Sequence, residues 1–259
     1  MSSEMHPVMA RKAALVIGLT ALALGAALLT APVPQDPAYH VFADQRTLLG
    51  IPNFWNVVSN LAFLGAGIAG LAVLAHRVPA GGVAALRLHY KLFFTGILLT
   101  GAGSVLYHLA PANETLVWDR LPMSLAFMAF LTVIVGENVS VKVGLRLLWP
   151  AVATGLLSVV YWYISERLGY GDLRAYGLVQ FLPLLLVPLI LLLYRSPFTG
   201  NAWLWLMLPA YACAKLAEMN DAGIFAATGF GGHALKHLCA ALGALFFLLA
   251  LLLRRPASR

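Results

Sequence analysis

Three histidines, one serine and one aspartate carry the residue types and spacing needed for hydrolytic chemistry. His233 and His237 lie four apart in Gly232-His233-Ala234-Leu235-Lys236-His237. On a helix that spacing puts both rings on one face, a common two-point clamp for a metal ion. His108 ends an apolar run in Gly101-Ala102-Gly103-Ser104-Val105-Leu106-Tyr107-His108 and supplies a third imidazole. Three neutral imidazoles that leave a fourth position open suit a catalytic zinc, which lowers the pKa of a bound water from about 15.7 to about 7. Ser104 sits one turn before His108 on the same face and is a candidate donor to a developing oxyanion. Asp119 follows at an apolar boundary as a candidate proton acceptor and donor, or as a partner that orients a ligand histidine.

Each residue has a plainer reading when taken alone. Ser104 is then a helix-packing serine, Asp119 an N-cap before Leu121-Pro122, and His108 an interfacial histidine. Gly101 and Gly103 allow close approach of helices or substrate. No cysteine set is spaced for a structural zinc or an iron–sulfur centre. Cys213 and Cys239 read as small core residues.

The elements that must position these residues are membrane helices. Hydrophobic residues make up 61 % of the 259-residue chain and charged residues 10 %, against about 25 % charged in a typical soluble domain. The expected fold class is an all-α integral membrane protein, because lipid leaves a helical bundle little alternative for satisfying its backbone. Apolar segments fall at 13–32, 54–75, 92–110, 121–136, 147–164, 175–194, 202–218 and 233–253, most of them near the roughly 20 residues needed to span. The shortest, 121–136 and 202–218, are the weakest as spans. The expectation is a seven-transmembrane helix bundle over 36–259, preceded by an extra helix within 1–35. Arg11-Lys12 before the first run also resembles a signal peptide, but that run is long for one and no A-x-A site follows it.

Lysine and arginine set the orientation. With the N-terminus in the cytoplasm, eleven cationic residues face inward: Arg11, Lys12, Arg77, Arg87, Lys91, Lys142, Arg146, Arg195, Arg254, Arg255 and Arg259. Four face outward: Arg46, Arg120, Arg167 and Arg174. His108, Asp119, His233 and His237 then all fall at the outer ends of their spans, although histidine and aspartate took no part in the choice. The net charge of +7 reflects this bias, and no basic patch interleaved with aromatics marks a nucleic-acid partner. No protein partner is expected either.

Two more polar groups enter apolar runs. Lys215, Glu218 and Asp221 end the seventh run; Lys215 and Glu218 are three apart, and Glu218 is also within range of Lys236. Ionisable groups in a span are paired or functional, and an ion-pair network is the expectation. Asn53-Phe54-Trp55-Asn56-Val57-Val58-Ser59-Asn60 brings amides and a serine into the second run. They serve either interhelical hydrogen bonding or support of the histidine site, through Asn56, Ser59 and Asn60.

In this order, N-F-W-N-x-x-S-N, then G-x-G-S-x-x-x-H followed by W-D-R-L-P-M, then H-x-x-x-H, the chain resembles the alkaline ceramidase family. That family belongs to a superfamily of seven-span membrane hydrolases that includes the adiponectin and progestin receptors. The resemblance covers roughly 40–253. It implies a seven-helix bundle with zinc on His108, His233 and His237, with Ser104 and Asp119 beside it. The activity it implies is hydrolysis of the amide of a ceramide to a sphingoid base and a fatty acid. Eukaryotic members carry an acidic calcium-binding stretch, D-W-x-E-x-N, and an acidic residue before F-W-N. Here Tyr39-His40-Val41-Phe42-Ala43-Asp44 and Asn53 stand in those places. Only Asp44 remains as an obvious hard ligand, so the resemblance implies zinc fully and calcium only through Asp44 as a candidate ligand. The short loops and Ala/Leu/Gly-rich spans suggest a bacterial inner-membrane member, and the substrate that the resemblance implies is then ceramide or a ceramide-like N-acyl lipid. One rival is a seven-span receptor or sensor that keeps the metal without turnover. Another is a membrane haem protein, which an i,i+4 pair on one helix fits poorly.

Overall fold

The computed structural model describes residues 2–258, with side chains from Pro7 onward. Arg259, counted above with the inward charges, lies outside the described residues, as does Met1. Ten α-helices account for most of the chain. They are α1 (Ser2–Leu29), α2 (Phe54–Val58), α3 (Leu61–Val73), α4 (Arg87–Leu109), α5 (Asn113–Asn138), α6 (Val141–Arg167), α7 (Arg174–Leu193), α8 (Ala202–Met219), α9 (Asp221–Thr228) and α10 (Gly232–Leu253). A two-residue antiparallel pairing, β1 (Phe198–Thr199) with β2 (Arg255–Pro256), closes one end.

Among the described residues, seven helical stretches are long and apolar enough to cross a membrane: α1, α2 with α3, α4, α5, α6, α7 and α10. The chain is an integral, multi-pass membrane protein. The eighth stretch, α8, has 18 residues and carries Lys215 and Glu218 in its last turns, which lowers its hydropathy. It packs along α10 and completes the bundle.

Three expectations change in detail. The run taken as 121–136 belongs to a helix that begins at Asn113, so Asp119 lies within α5 and is not an N-cap. That helix opens instead where Thr115 Oγ1 accepts from the Ala112 N–H at 3.1 Å, and Pro122 is accommodated inside it. The second run is not one continuous helix. Asn60 Nδ2 donates to the Asn56 carbonyl at 2.7 Å, and the backbone around the break turns more tightly, with Asn60 N–H bonded to Val57 O. A side-chain amide competing for a helix carbonyl produces such an interruption. Finally, Cys213 is exposed and Cys239 only half-buried, so neither is a core residue; both lie on helix faces that the bundle leaves open.

The helices pack as α8 on α10, α10 on α3, α3 on α4, α4 on α5, and α5 on α6 and α7; α1 packs on α7. No extensive contact joins α7 to α8. One hydrogen bond, Gln180 Nε2 to Tyr211 Oη at 2.9 Å, spans that gap. An aromatic cluster of Phe93, Phe94, Phe130 and Phe247 fills the half of the bundle away from the histidines, with Phe94 and Phe247 stacked 5.8 Å apart. At that end Arg254 and Glu137 form a fully buried pair at 2.9 Å, completed by Tyr90 Oη donating to Glu137 at 2.6 Å and Arg254 donating to Gly81 O at 2.7 Å. Every charge there is matched, which is the condition for tolerating a buried ion pair.

Candidate metal centre and apolar cavity

One glycine allows α10 to begin where it does. A Cβ on Gly232 would lie 2.3 Å from Ala217 O, so only glycine lets this helix start against the end of α8. Asp221 Oδ1 then accepts the His233 backbone N–H at 2.8 Å, while its Oδ2 accepts the Ala43 N–H at 2.8 Å. One carboxylate thus fixes the first turn of α10 and the loop that crosses it.

That first turn presents His233 and His237 to His108, which sits in the last turn of α4. Ring centroids are 5.0 Å apart for His233–His237 and 4.9 Å from His108 to each. One nitrogen from each ring falls within 4.8 Å of the others. All three side chains are at most 5 % exposed.

Ser59 Oγ lies 2.8 Å from His237 Nδ1, which leaves His237 Nε2 facing inward, 3.3 Å from His108 Nε2. His233 Nε2 is buried without any partner. A buried imidazole nitrogen with nothing to bond is costly, and its convergence with a nitrogen from each of the other two buried imidazoles is the donor set of a borderline divalent cation. The residues fit a metal ion.

Ser104 and Asp119 come together through close packing of α4 on α5. A Cβ on Gly103 would lie 1.9 Å from Trp118 O, so glycine is required for this approach. It sets Ser104 against Asp119, and both are buried. Ser104, Asp119 and His237 line one cavity of about 340 Å³. Its far walls are apolar, including Phe93, Phe127, Phe130 and Leu208, and its sides come from both α7 and α8. Lys215, Glu218 and Lys236 line its polar end. Glu218 is paired with both lysines and accepts from Tyr39 Oη at 3.3 Å. The expected ion-pair network is present, and it forms part of the cavity wall.

The second-run residues lie directly behind the histidines. Asn56 Nδ2 donates to Asp44 O at 3.2 Å, Asn56 O accepts from both Ser59 Oγ and Asn60 Nδ2, and Ser59 reaches His237. Asn53 adds a link by donating to His108 O at 2.9 Å.

Asp44, the candidate calcium ligand, is held by Arg46. Arg46 Nε and Nη2 hold its two carboxylate oxygens at 2.8 and 2.6 Å. The hydrogen bonds from Arg46 keep the Asp44 carboxyl below the usual carboxylate range, against the opposing effect of its burial. The pair clamps the loop, and Arg46 extends the clamp to Gly229 O.

That loop holds residues the sequence reading did not single out. Phe42 lies 4.7 Å from the rings of both His108 and His233 and closes the site from above. His40 bridges Tyr107 Oη at 2.9 Å and Asn113 Oδ1 at 3.0 Å. Neither had a helical period or a ligand spacing to mark it. The one available signal was the aromatic content of Tyr39-His40-Val41-Phe42 between two proline-containing stretches. Arg120 was counted only as an outward charge, yet it is buried beside Asp119.

A sequence profile of the ceramidase family matches residues 50–192. The matched segment runs from the turn before α2 through most of α7 and contains Ser104, His108 and Asp119, while His233 and His237 lie beyond it. No curated protein matches the chain. With more than half of its length matched and the multi-pass helical architecture in place, the chain belongs to the ceramidase family.

Proposed function

We propose that the protein is a zinc-dependent intramembrane amidase that cleaves ceramide or a ceramide-like N-acyl lipid into an amine base and a fatty acid. One observation carries this reading: three buried imidazoles converge, and one of them, His237, lines a single largely apolar cavity together with Ser104 and Asp119.

His108, His233 and His237 would hold the ion. Zinc on three imidazoles supplies Lewis acidity and a nucleophile at neutral pH. Ser59 fixes the orientation of His237 from behind, as outer hydrogen-bond partners of ligand histidines do. Asp119 takes a proton from the attacking water and returns it to the departing nitrogen. The Ser104 hydroxyl donates to the oxygen on which charge develops. The apolar cavity holds an acyl chain, and the sparsely packed seam between α7 and α8 is the route by which lipid enters from the bilayer. Phe42 keeps bulk water from the histidines.

By the lysine and arginine distribution, both termini face the cytoplasm and the site lies near the outer face. The hydrolase unit is taken as 36–259, with 1–35 as an added helix and its connection.

His237→Ala should remove both bound zinc and fatty-acid release from an N-acyl lipid. Asp119→Asn should keep zinc and reduce turnover by roughly 10²- to 10⁴-fold, the range for losing a general acid–base. Undiminished hydrolysis by His237→Ala would sink the scheme.

A further inference from the structure

Arg120 is the one cation on the cavity wall without an acidic partner. The wall carries three cations, Arg120, Lys215 and Lys236, and two carboxylates, Asp119 and Glu218. Glu218 serves both lysines. Among the described residues Arg120 makes no salt bridge, although it is only 5 % exposed. A guanidinium keeps its charge in any protein setting, and a buried charge without a counter-charge is destabilising.

Asp119 acts on Arg120 only through space, with no salt bridge between them, and the other neighbours of Arg120 are uncharged. Its guanidinium lies 4.1 Å from the Trp162 ring centroid and 4.7 Å from that of Tyr176. Ring faces attract a cation but accept no in-plane hydrogen bond of the kind a carboxylate does. Nη2 donates to Gln35 Oε1 at 2.7 Å, and Nη1 has no partner at all. The group is therefore fixed in position, with one edge of its donor fork unused, one residue along α5 from Asp119.

We propose that Arg120 is a subsite for an oxyanion carried at the amide end of an acyl lipid. The oxyanion is either an acidic head group of the substrate or the carboxylate of the fatty acid released. This rests on the amidase reading above. Arginine suits the task because its planar fork matches a carboxylate or phosphate edge. The remaining cavity wall is mostly apolar and carries no other charged residue, which leaves the polar end as the place for a charged group.

The test uses the full chain in lipid nanodiscs, with Arg120→Met and Gln35→Glu as variants. The second variant leaves Arg120 in place and gives it an internal carboxylate partner, so it separates a lost subsite from a lost fold. In one arm, kcat/KM is compared for a neutral N-acyl sphingoid base and an N-acyl amino acid of the same acyl chain. In the other, inhibition by laurate is measured. An acidic head group as the source predicts about a tenfold preference for the N-acyl amino acid, set by KM and lost in both variants. The released acid as the source predicts laurate inhibition weakened about tenfold in both variants. Indifference of both arms to both variants overturns the proposal.

Should no lipid be hydrolysed, the amidase reading fails separately, and thermal melting with dodecyl phosphate against dodecanol still decides. A ligand that binds the folded state raises the melting midpoint. A rise with dodecyl phosphate alone, absent in both variants, supports the subsite. Equal shifts in all three proteins overturn it.

Discussion

Ser59 Oγ and His237 Nδ1 lie 2.8 Å apart, on the opposite edge of the imidazole from the nitrogen that faces His108. The break between α2 and α3 puts the serine there. Ser59→Ala should leave the fold intact and weaken zinc affinity by roughly 10- to 100-fold, the usual effect of losing such a partner. Competition with a chromogenic chelator measures this, and unchanged affinity would show that the ring is oriented by packing alone.

Gly103 sets the distance between α4 and α5. A methyl group there meets the Trp118 carbonyl at 1.9 Å, and backbone does not yield cheaply. Gly103→Ala should cost about 1–3 kcal/mol through overpacking and separate Ser104 from Asp119. Turnover should fall further than the loss of folded protein explains, whereas Gly65→Ala, with open space around its Cβ position, should change neither. Activity normalised to folded fraction by melting distinguishes the two.

Phe42 covers two of the three histidines. Phe42→Ala should speed removal of bound metal by EDTA while leaving equilibrium affinity within a few-fold. Stripping followed by stopped-flow with a zinc dye reads this directly. An unaltered rate would mean that the ion leaves by another path.

Arg46 holds Asp44 below the ordinary carboxylate range. A carboxyl depressed in the folded state stabilises it at pH above the unfolded value of about 3.9, and that contribution is lost as pH falls through the folded value. The loop over the site should therefore resist proteolysis at neutral pH and open only under strongly acidic conditions. Asp44→Asn should make it cleavable at pH 7. Limited proteolysis between pH 3 and 7 tests this, and identical cleavage of both proteins at every pH would refute it.

Much of the architecture was readable because its causes are periodic. Runs of about 20 apolar residues must be helices in lipid, and the i,i+4 pair must share a face. The lysine and arginine bias grouped His108, Asp119, His233 and His237 at one end, where the structure brings the three histidines within ligand distance. What stayed hidden was aperiodic. The start of α5 at Asn113 was obscured by Asn113-Glu114-Thr115, polar residues that read as loop. The break at Ser59–Asn60 depends on one side-chain amide finding a carbonyl. Phe42 and Arg120 owe their places to tertiary packing against α4, α6 and α7, which no local spacing encodes. Asp44 looked like a free ligand because its partner, Arg46, is equally unremarkable in sequence.

His233 and His237 enter the chain only with α10, 129 residues of separation lying between His108 and His237. A nascent chain arrested before residue 233 already carries Ser104, His108 and Asp119, but of the three clustered histidines it holds only one. On the proposed reading, the metal site is completed only once α10 has joined the bundle, after the helices carrying Ser104, His108 and Asp119.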